Sequence, residues 1–285
     1  MESSRLMVLS DIHGNLPVLK QVLKDAEKYK PAYILVTGDI CGGPNQDESI
    51  RMLQDYKAHY INGNWEQNIF KYLDQPTEDP RNQLHQYDYL KWCSQNVSTK
   101  SLKQLRNRPY QSLFSLPGKD PIRIAHGAPD NPFTLIYPET NLTEILEKIE
   151  ETVFVCGHTH SPWIVNRNEK LAINPGSLFN TITHKSEATY GLLEWDGKQW
   201  QAEIKKVPFD FSQVVQAFES SGLLKYGGPL AKAVLLSIQS GLNISQTFVD
   251  YAVSMAKVSS PNAEFVPNAI WEEAEKSFDW KKYYN

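Results

Sequence analysis

The residues of this chain best suited to chemistry form an ordered series of carboxylates, imidazoles and one amide: Asp11, His13, Asp39, Asn64, His126, His158 and His160. Carboxylate and imidazole donors are the ligand set expected for manganese, iron or zinc, so the chemistry to look for is metal-assisted. Most of the series has a nearby glycine: Gly14, Gly38, Gly63, Gly127 or Gly157. Glycine permits tight turns, and several such turns let backbones crowd around one small volume. In Gly157-His158-Thr159-His160 the imidazoles are two residues apart, and an extended or turning backbone can direct them to different ions. Taken singly, D-x-H and G-D are commonplace, and a lone H-x-H is more often a surface or strand pair. The ordered combination D-x-H, G-D, G-N, H-G, G-H-x-H answers to no structural requirement, which points to one shared site.

Each candidate follows a run of strand type. Leu6-Met7-Val8-Leu9 reads as a buried strand and leads into Ser10-Asp11-Ile12-His13-Gly14-Asn15. Residues 16–29 repeat apolar side chains at helical spacing, at Leu16, Leu19, Val22, Leu23 and Ala26. A strand over 33–36 precedes Thr37-Gly38-Asp39, a helix covers 46–56, and a strand over 59–61 precedes Asn62-Gly63-Asn64-Trp65-Glu66. This alternation predicts a parallel sheet with crossover helices. Ligands of open α/β sheets bind at the carboxyl ends of strands, so these loops are expected to converge.

Residues 74–108 carry Pro76 and Pro80 and turn helical over 87–92 and 102–105, an inserted helical excursion. Strands are expected again at 110–116, 122–125 and 153–156, with a helix over 143–149. Segments 164–166, 171–173, 190–195 and 200–205 read as a second, largely antiparallel set, with Asp196-Gly197 as a hairpin turn. The fold class expected is α/β, a two-sheet β-sandwich flanked by helices. The predicted catalytic domain spans 1–207. After Pro208, helical periodicity over 211–219, 230–239, 247–257 and 270–278 predicts a C-terminal helical extension, 208–285. Its breaks are Gly227-Gly228-Pro229, Gly241 and Ser259-Ser260-Pro261.

Composition narrows the class. With 41% hydrophobic and 22% charged residues the chain resembles an ordinary soluble protein with enough apolar material for a sizeable core. A formal charge of -4 argues against a basic nucleic-acid-binding face. An acidic protein that handles phosphate needs positive charge from elsewhere, and bound metal ions are one source. Cys41, Cys93 and Cys156 are odd in number and lack zinc-thiolate spacing, so they read as packing or loop residues. Met1-Glu2-Ser3-Ser4-Arg5 has no cationic start before an apolar stretch, and no apolar run approaches the length of a membrane span. A cytoplasmic protein without membrane contact is expected.

The ordered series resembles the calcineurin-like metallophosphoesterases, from Arg5 to about Lys206. Asp11-Ile12-His13-Gly14-Asn15, Gly38-Asp39-Ile40 and Asn174-Pro175-Gly176-Ser177 resemble the small bacterial phosphodiesterase branch. Gly63-Asn64-Trp65-Glu66 and the helical tail are similar to proteins described as asymmetric diadenosine-tetraphosphate hydrolases and phosphodiesterases. The resemblance implies two divalent or trivalent metal ions, manganese foremost, with iron, zinc or nickel as alternatives. One would be held by Asp11, His13, Asp39 and His160; the other by Asp39, Asn64, His126 and His158. Asp39 would bridge ions roughly 3.5–4 Å apart. Asp39 and Asn64 are thereby the implied catalytic residues, and a metal-bridging hydroxide the nucleophile. The implied substrate is a phosphorylated small molecule, above all a nucleotide such as a dinucleoside polyphosphate, cleaved at a phosphodiester or phosphoanhydride bond. The competing readings are a phosphomonoesterase or protein phosphatase and, on the same fold, a non-catalytic binding scaffold.

One departure from the resemblance bears on substrate. Many relatives have histidine after the G-N, close to the phosphoryl group or leaving oxygen; here it is Trp65. Indole cannot protonate a leaving group. A missing general acid commonly costs about 10²–10⁴ in rate, least for leaving groups that need no proton. Trp65 is a candidate base-stacking residue or a wall of the site, and Asn15 a candidate phosphate ligand or a turn-shaping residue. Glu66 is expected to begin a helix, with orientation of a neighbouring ligand as the other reading. The arginine that often follows the Asn174–Ser177 loop in relatives is replaced by Leu178-Phe179-Asn180-Thr181. His59, His85 and His184 are expected to be structural or exposed. Lys100, Lys103, Arg106 and Arg108 form a basic cluster, a solvated face or a polyphosphate grip. The tail is expected to cover a sheet edge, the alternatives being a cap over the site through Trp271, Trp280, Tyr283 and Tyr284, or a dimer surface.

Overall fold

The first strand, β1 (Arg5–Leu9), alternates between two cores. In the computed structural model, which describes residues 4–259, 261–262 and 264–284, Leu6 and Val8 join Ile122, Ile124, Val153, Val155 and Ile173 between two sheets. Met7 and Leu9 face the other way, onto Val18, Leu19 and Val22 of helix α1 (Leu16–Ala26). Side chains two apart on a strand share a face, so this single run sets the order helix, sheet, sheet. Met1, Glu2 and Ser3 of the opening segment, and Ser260 of the break expected at 259–261, lie outside the described residues.

Strands joined by crossovers run parallel. In the first sheet β1 pairs β2 (Tyr33–Val36), which pairs β3 (His59–Tyr60), with helix α2 (Gln46–Asp55) as the second crossover. In the second, β5 (Ile122–Ala125), β6 (Val153–Val155) and β8 (Lys170–Asn174) run parallel, with β4 (Gln111–Phe114) and β7 (Trp163–Arg167) antiparallel at the edges. The outer face of the second sheet is covered by α6 (Leu142–Glu147), through Leu142, Ile145 and Leu146 on Phe154 and Ala172.

The late strands do not form a set of their own, as their succession had suggested. β7 and β8 complete the second sheet, whereas β9 (Glu187–Trp195) and β10 (Trp200–Pro208) cross back to the first, β9 lying antiparallel to β1. Both pairs are local hairpins, and nothing local records which sheet edge a hairpin joins.

Helix α3 (Asn64–Asp74) leads into the segment expected as an insertion, which holds α4 (Asp88–Gln95) and α5 (Thr99–Arg106). The tail comprises α7 (Phe211–Ser220), α8 (Leu223–Tyr226), α9 (Gly228–Ser240), α10 (Ile244–Ser259) and α11 (Asn268–Ser277). Val214 and Phe218 of α7 enter the core beneath the first sheet. Farther along, Phe248, Trp271, Phe278 and Trp280 make a satellite core of their own. The tail thus docks on the insertion rather than on a sheet edge: Asn268 Oδ1 accepts the His85 N–H at 2.8 Å, and Gln86 Oε1 accepts that of Val266 at 3.1 Å. Trp271 and Trp280 are buried in that packing, which removes them as a cap over the strand ends. Among the described residues no helix is long and apolar enough to cross a membrane.

Candidate metal centre

Five loops leave the carboxyl ends of strands and meet between the sheets. Asp11 and His13 follow β1, Asp39 follows β2, Asn64 opens α3 after β3, His126 directly follows β5, and His158 and His160 follow β6. The backbone at Asp11, His13, Asp39, His158 and His160 is left-handed, with φ of 51, 45, 51, 69 and 56°. Such conformations cost about 1–3 kcal/mol each and persist where surrounding structure over-determines them. Cross-bonding between loops does that here. His13 N–H donates to the Asp39 carbonyl at 2.9 Å, Gly14 to Ile40 at 2.7 Å, and Gly157 to His126 at 2.8 Å. Two glycines are sterically required: a Cβ on Gly63 would lie 2.1 Å from Asp39 Oδ1, and one on Gly38 would lie 2.6 Å from the Gly63 nitrogen.

The side chains converge as two groups, Asp11 with His13 and His160, and Asp39 with His126 and His158. Asp39 Oδ2 stands between them, 3.7 Å from His13 Nε2 and 3.4 Å from His126 Nε2. Asn64 Oδ1 reaches His126 Nε2 at 2.7 Å. All seven predicted ligands are therefore neighbours.

Hydrogen bonds behind the rings settle which nitrogen faces inward. Nδ1 of His13, His126 and His160 donates to the carbonyls of Cys41, Thr37 and Asn180 at 3.0, 2.8 and 3.0 Å. A carbonyl only accepts, so each Nδ1 carries the proton and each Nε2 presents a lone pair to the cluster. His158 is reversed: its Nε2 faces the Phe133 carbonyl at 3.2 Å, which leaves Nδ1 for the interior.

This arrangement fits metal ions on its own evidence of crowded acceptors. Nε2 of His13 and of His160 approach to 3.3 Å, lone pair to lone pair, and Nε2 of His126 meets an amide oxygen at 2.7 Å. The fully buried Asp11 Oδ1 has no hydrogen-bond partner among the described residues. Acceptors in such contact need a cation between them, either a proton or a metal. Protons show the same demand. Burial works against a charged His126, but Asp39 and Asp11 outweigh it and push its pKa up to about 9. Burial dominates at His13, which falls to about 4 despite Asp39 and is ready to coordinate as a neutral ring. Asp11 stays below the ordinary carboxylate range: burial opposes ionisation, but His160, His126 and His13 prevail.

The neighbouring candidates separate clearly. Trp65 is half-buried, its ring edge-on to His13 at 5.7 Å and to Tyr89 at 5.5 Å, and its backbone N–H donates to Asp39 Oδ1 at 2.8 Å. Asn15, a candidate phosphate ligand or turn-shaping residue, is wholly buried and donates Nδ2–H to the Leu178 carbonyl at 2.9 Å, while its Oδ1 has no partner among the described residues. Asn174 donates to the Gly157 carbonyl at 2.7 Å and Ser177 to that of Asp11 at 2.9 Å, which fastens their loop to two ligand loops. Phe179 wedges between His13 and Phe218 of α7, with ring centres 5.0 and 6.1 Å away. The basic cluster is partly spent within the fold: Arg106 pairs with Asp74 and Arg108 lies over Tyr60. His59 contacts Ser112 Oγ at 2.8 Å, a structural role.

Sequence reasoning underrated Glu66 and missed Phe133. Glu66 does open α3, yet it is also fully buried and accepts N–H bonds from Gly63, Cys41 and Asp39 at 2.7, 2.8 and 3.0 Å. Its position three residues after Gly63 was the available signal, since a glutamate there returns to the helix start. Burial, then the charge of Asp39, push its pKa up to about 7. No local pattern marks Phe133, whose carbonyl reaches His158 across 25 residues.

Two mixed sheets with helices outside, carrying paired carboxylate–imidazole groups at their strand ends, define a metal-dependent phosphate-ester hydrolase. The chain belongs to the calcineurin-like phosphoesterase superfamily, whose domain matches residues 5–198. An uncharacterized protein of Methanocaldococcus jannaschii is 25% identical over 244 residues, 80% of this chain and 97% of that one. Among solved structures, a hypothetical protein of Pyrococcus horikoshii superposes with a TM-score of 0.68 at 22% identity, over 84% of this chain and 98% of its own. A metallophosphoesterase of Sphaerobacter thermophilus gives 0.66 at 20% identity, over 79% and 98%. At these identities the structural likeness is one of fold.

Proposed function

We propose that this protein hydrolyses phosphodiester or phosphoanhydride bonds of nucleotide substrates, dinucleoside polyphosphates among them, at a dinuclear centre in which manganese is the foremost candidate. Asp11, His13 and His160 would hold one ion, Asn64, His126 and His158 the other, and Asp39 both. When bound, the two cations supply positive charge for the phosphoryl oxygens and acidify the attacking water. The chain's own part is to hold its donors in place. Carbonyls of Cys41, Thr37 and Asn180 orient three imidazoles, and Glu66 holds the Asp39 loop from behind.

The observation that carries the substrate reading is Trp65. It stands beside the donor cluster with its ring against His13, where a protonatable side chain would assist departure of an alkoxide. Glu66, the next residue, turns away into three backbone N–H groups. Leaving groups that depart as stabilised anions, such as nucleotide phosphates and aryl oxides, suit such a site best. The same feature disfavours a protein phosphatase, whose serine or threonine leaving group needs a proton.

The test is hydrolysis of bis-p-nitrophenyl phosphate and of dinucleoside polyphosphates by manganese-loaded protein. Turnover is expected for both, with a loss of about 10³-fold or more in Asp39→Ala, the order expected when a metal clamp worth several kcal/mol is removed. A metal-loaded protein that cleaves no diester or anhydride, or an Asp39→Ala variant as active as the parent, would refute the reading.

A further inference from the structure

Helix α3 runs outward from the donor cluster. Asn64 begins it, and Gln67 and Lys71 follow at spacings of three and seven, which places all three along one face. Lys71 stands two turns beyond Asn64, about 10 Å along the axis. That is farther than the oxygens of the reacting phosphoryl group extend and within the span of an attached nucleotide.

Across from Lys71 lies Phe133. Its carbonyl faces His158 Nε2 at 3.2 Å, so the residue belongs to the wall of the donor cluster, yet 39% of it is exposed. Its backbone is pinned: Asn131 Oδ1 accepts the Phe133 N–H at 3.0 Å, and the Asn131 carbonyl accepts that of Thr134 at 3.2 Å. The ring is partly exposed on a loop whose backbone lies against the donor cluster. Lys71 Nζ sits 4.6 Å from the centre of that ring.

Beyond this pair opens a surface cavity of about 540 Å³, bordered by Gln67, Lys71, Arg81 and Arg106. Two of its cations are already neutralised, Arg81 by Asp79 and Arg106 by Asp74. Among the described residues no carboxylate pairs with Lys71. Lys71 thus links the Phe133 ring, whose carbonyl lies against His158, to a cavity of ordinary ligand size.

The geometry points to a nucleoside-phosphate subsite here: Phe133 is the platform on which the base stacks, and Lys71 binds a phosphate oxygen beyond the bond that is cut. This rests on the nucleotide reading above and specifies which part of the molecule recognises the nucleoside. Every base has a π-face, so the subsite selects nucleosides over plain phosphate esters without reading one base strictly. The flexible stem of Lys71 lets its ammonium leave the ring face for a phosphate oxygen while the base takes its place.

Equilibrium binding separates this subsite from the chemistry. Calorimetric titration of the full chain, manganese-loaded, would compare adenosine 5′-monophosphate with ribose 5-phosphate, which share the phosphate and differ in the base. Wild type is expected to bind the nucleotide about 5- to 100-fold more tightly, the range for one stacked base. Phe133→Ala and Phe133→Leu are expected to abolish that preference. The leucine variant keeps apolar bulk and the backbone carbonyl beside His158, so its thermal midpoint should match the parent. Lys71→Met is expected to weaken both ligands about 3- to 10-fold and to flatten the salt dependence of binding. Equal affinity of wild type for the two ligands, or a base preference that survives in Phe133→Leu, would overturn the subsite. Turnover of bis-p-nitrophenyl phosphate by wild type, measured alongside, keeps the two readings apart. Turnover without base preference removes the subsite alone, whereas base preference without turnover of any diester or anhydride removes the reaction.

Discussion

Glu66 Oε2 accepts the backbone N–H of Asp39 at 3.0 Å, so the first turn of α3 holds the loop that carries the carboxylate shared by both donor groups. The same side chain takes the N–H groups of Cys41 and Gly63, which flank Asp39 in sequence and in space. A left-handed Asp39 is thus backed by a buried acceptor that has no atom among the candidate donors.

Removing that acceptor tests whether Asp39 relies on it. Glu66→Ala leaves three buried N–H groups without a partner and is expected to cost about 3 kcal/mol or more in stability, at 1–3 for each unsatisfied group. Manganese affinity should fall about 10- to 100-fold, as for other residues that support a metal ligand. Chemical denaturation and metal titration read the two effects. Unchanged metal affinity in a folded Glu66→Ala would mean that Asp39 holds its place unaided.

Trp65→His places a titratable ring where indole now stands. Turnover of substrates with alkoxide leaving groups is expected to rise relative to aryl esters, within the 10²–10⁴ range of general acid catalysis. The smaller ring leaves space against His13, Tyr89 and Gly42, so a loss of about 2 kcal/mol should accompany the gain. A series of leaving groups checks this: a shallower dependence of rate on leaving-group pKa is expected, and an unchanged slope would show that the position does not reach the departing oxygen.

Loading the centre should release a proton. The inward Nε2 of His126 is the atom offered to a cation, and its pKa of about 9 keeps it protonated near neutrality until a metal displaces that proton. Metal affinity is therefore expected to weaken as pH falls below about 9. Titration calorimetry in buffers of different ionisation enthalpy would measure the release, and a buffer-independent enthalpy would contradict it.

A second pH effect lies away from the centre. Arg123 binds Glu151 through Nη2 at 2.6 Å and Nε at 3.1 Å, fastening β5 to the turn before β6. Burial raises the Glu151 pKa, but the hydrogen bonds and charge of Arg123 more than offset it, and the net shift is downward. A depressed folded-state pKa contributes stability that is fully present above the unfolded value of about 4.3 and disappears as pH falls through the folded value. Glu151→Gln should thus cost about 1 kcal/mol at pH 7, with solvent screening part of the pair, and nearly nothing at low acid pH. Thermal melts of both proteins across that range would show the gap closing; a constant gap would assign the effect to packing.

What the sequence by itself determined is local. Apolar runs of period two, helical repeats and the polar triplets after each strand are written in consecutive residues, and they placed all seven donors at strand ends and identified the parallel crossovers. Tertiary structure decided whatever depends on partners distant in the chain. The β9–β10 hairpin joined the first sheet because β1 offered it an open edge, while the tail docked on the insertion through Asn268 and Gln86. Asn15 turned inward to Leu178, Glu66 became the support of Asp39, and Phe133 came to His158 from a loop without periodicity. The physical reason is that hydrophobic period and turn chemistry act between near neighbours, whereas the satisfaction of a buried polar atom is settled only when distant backbones are brought together.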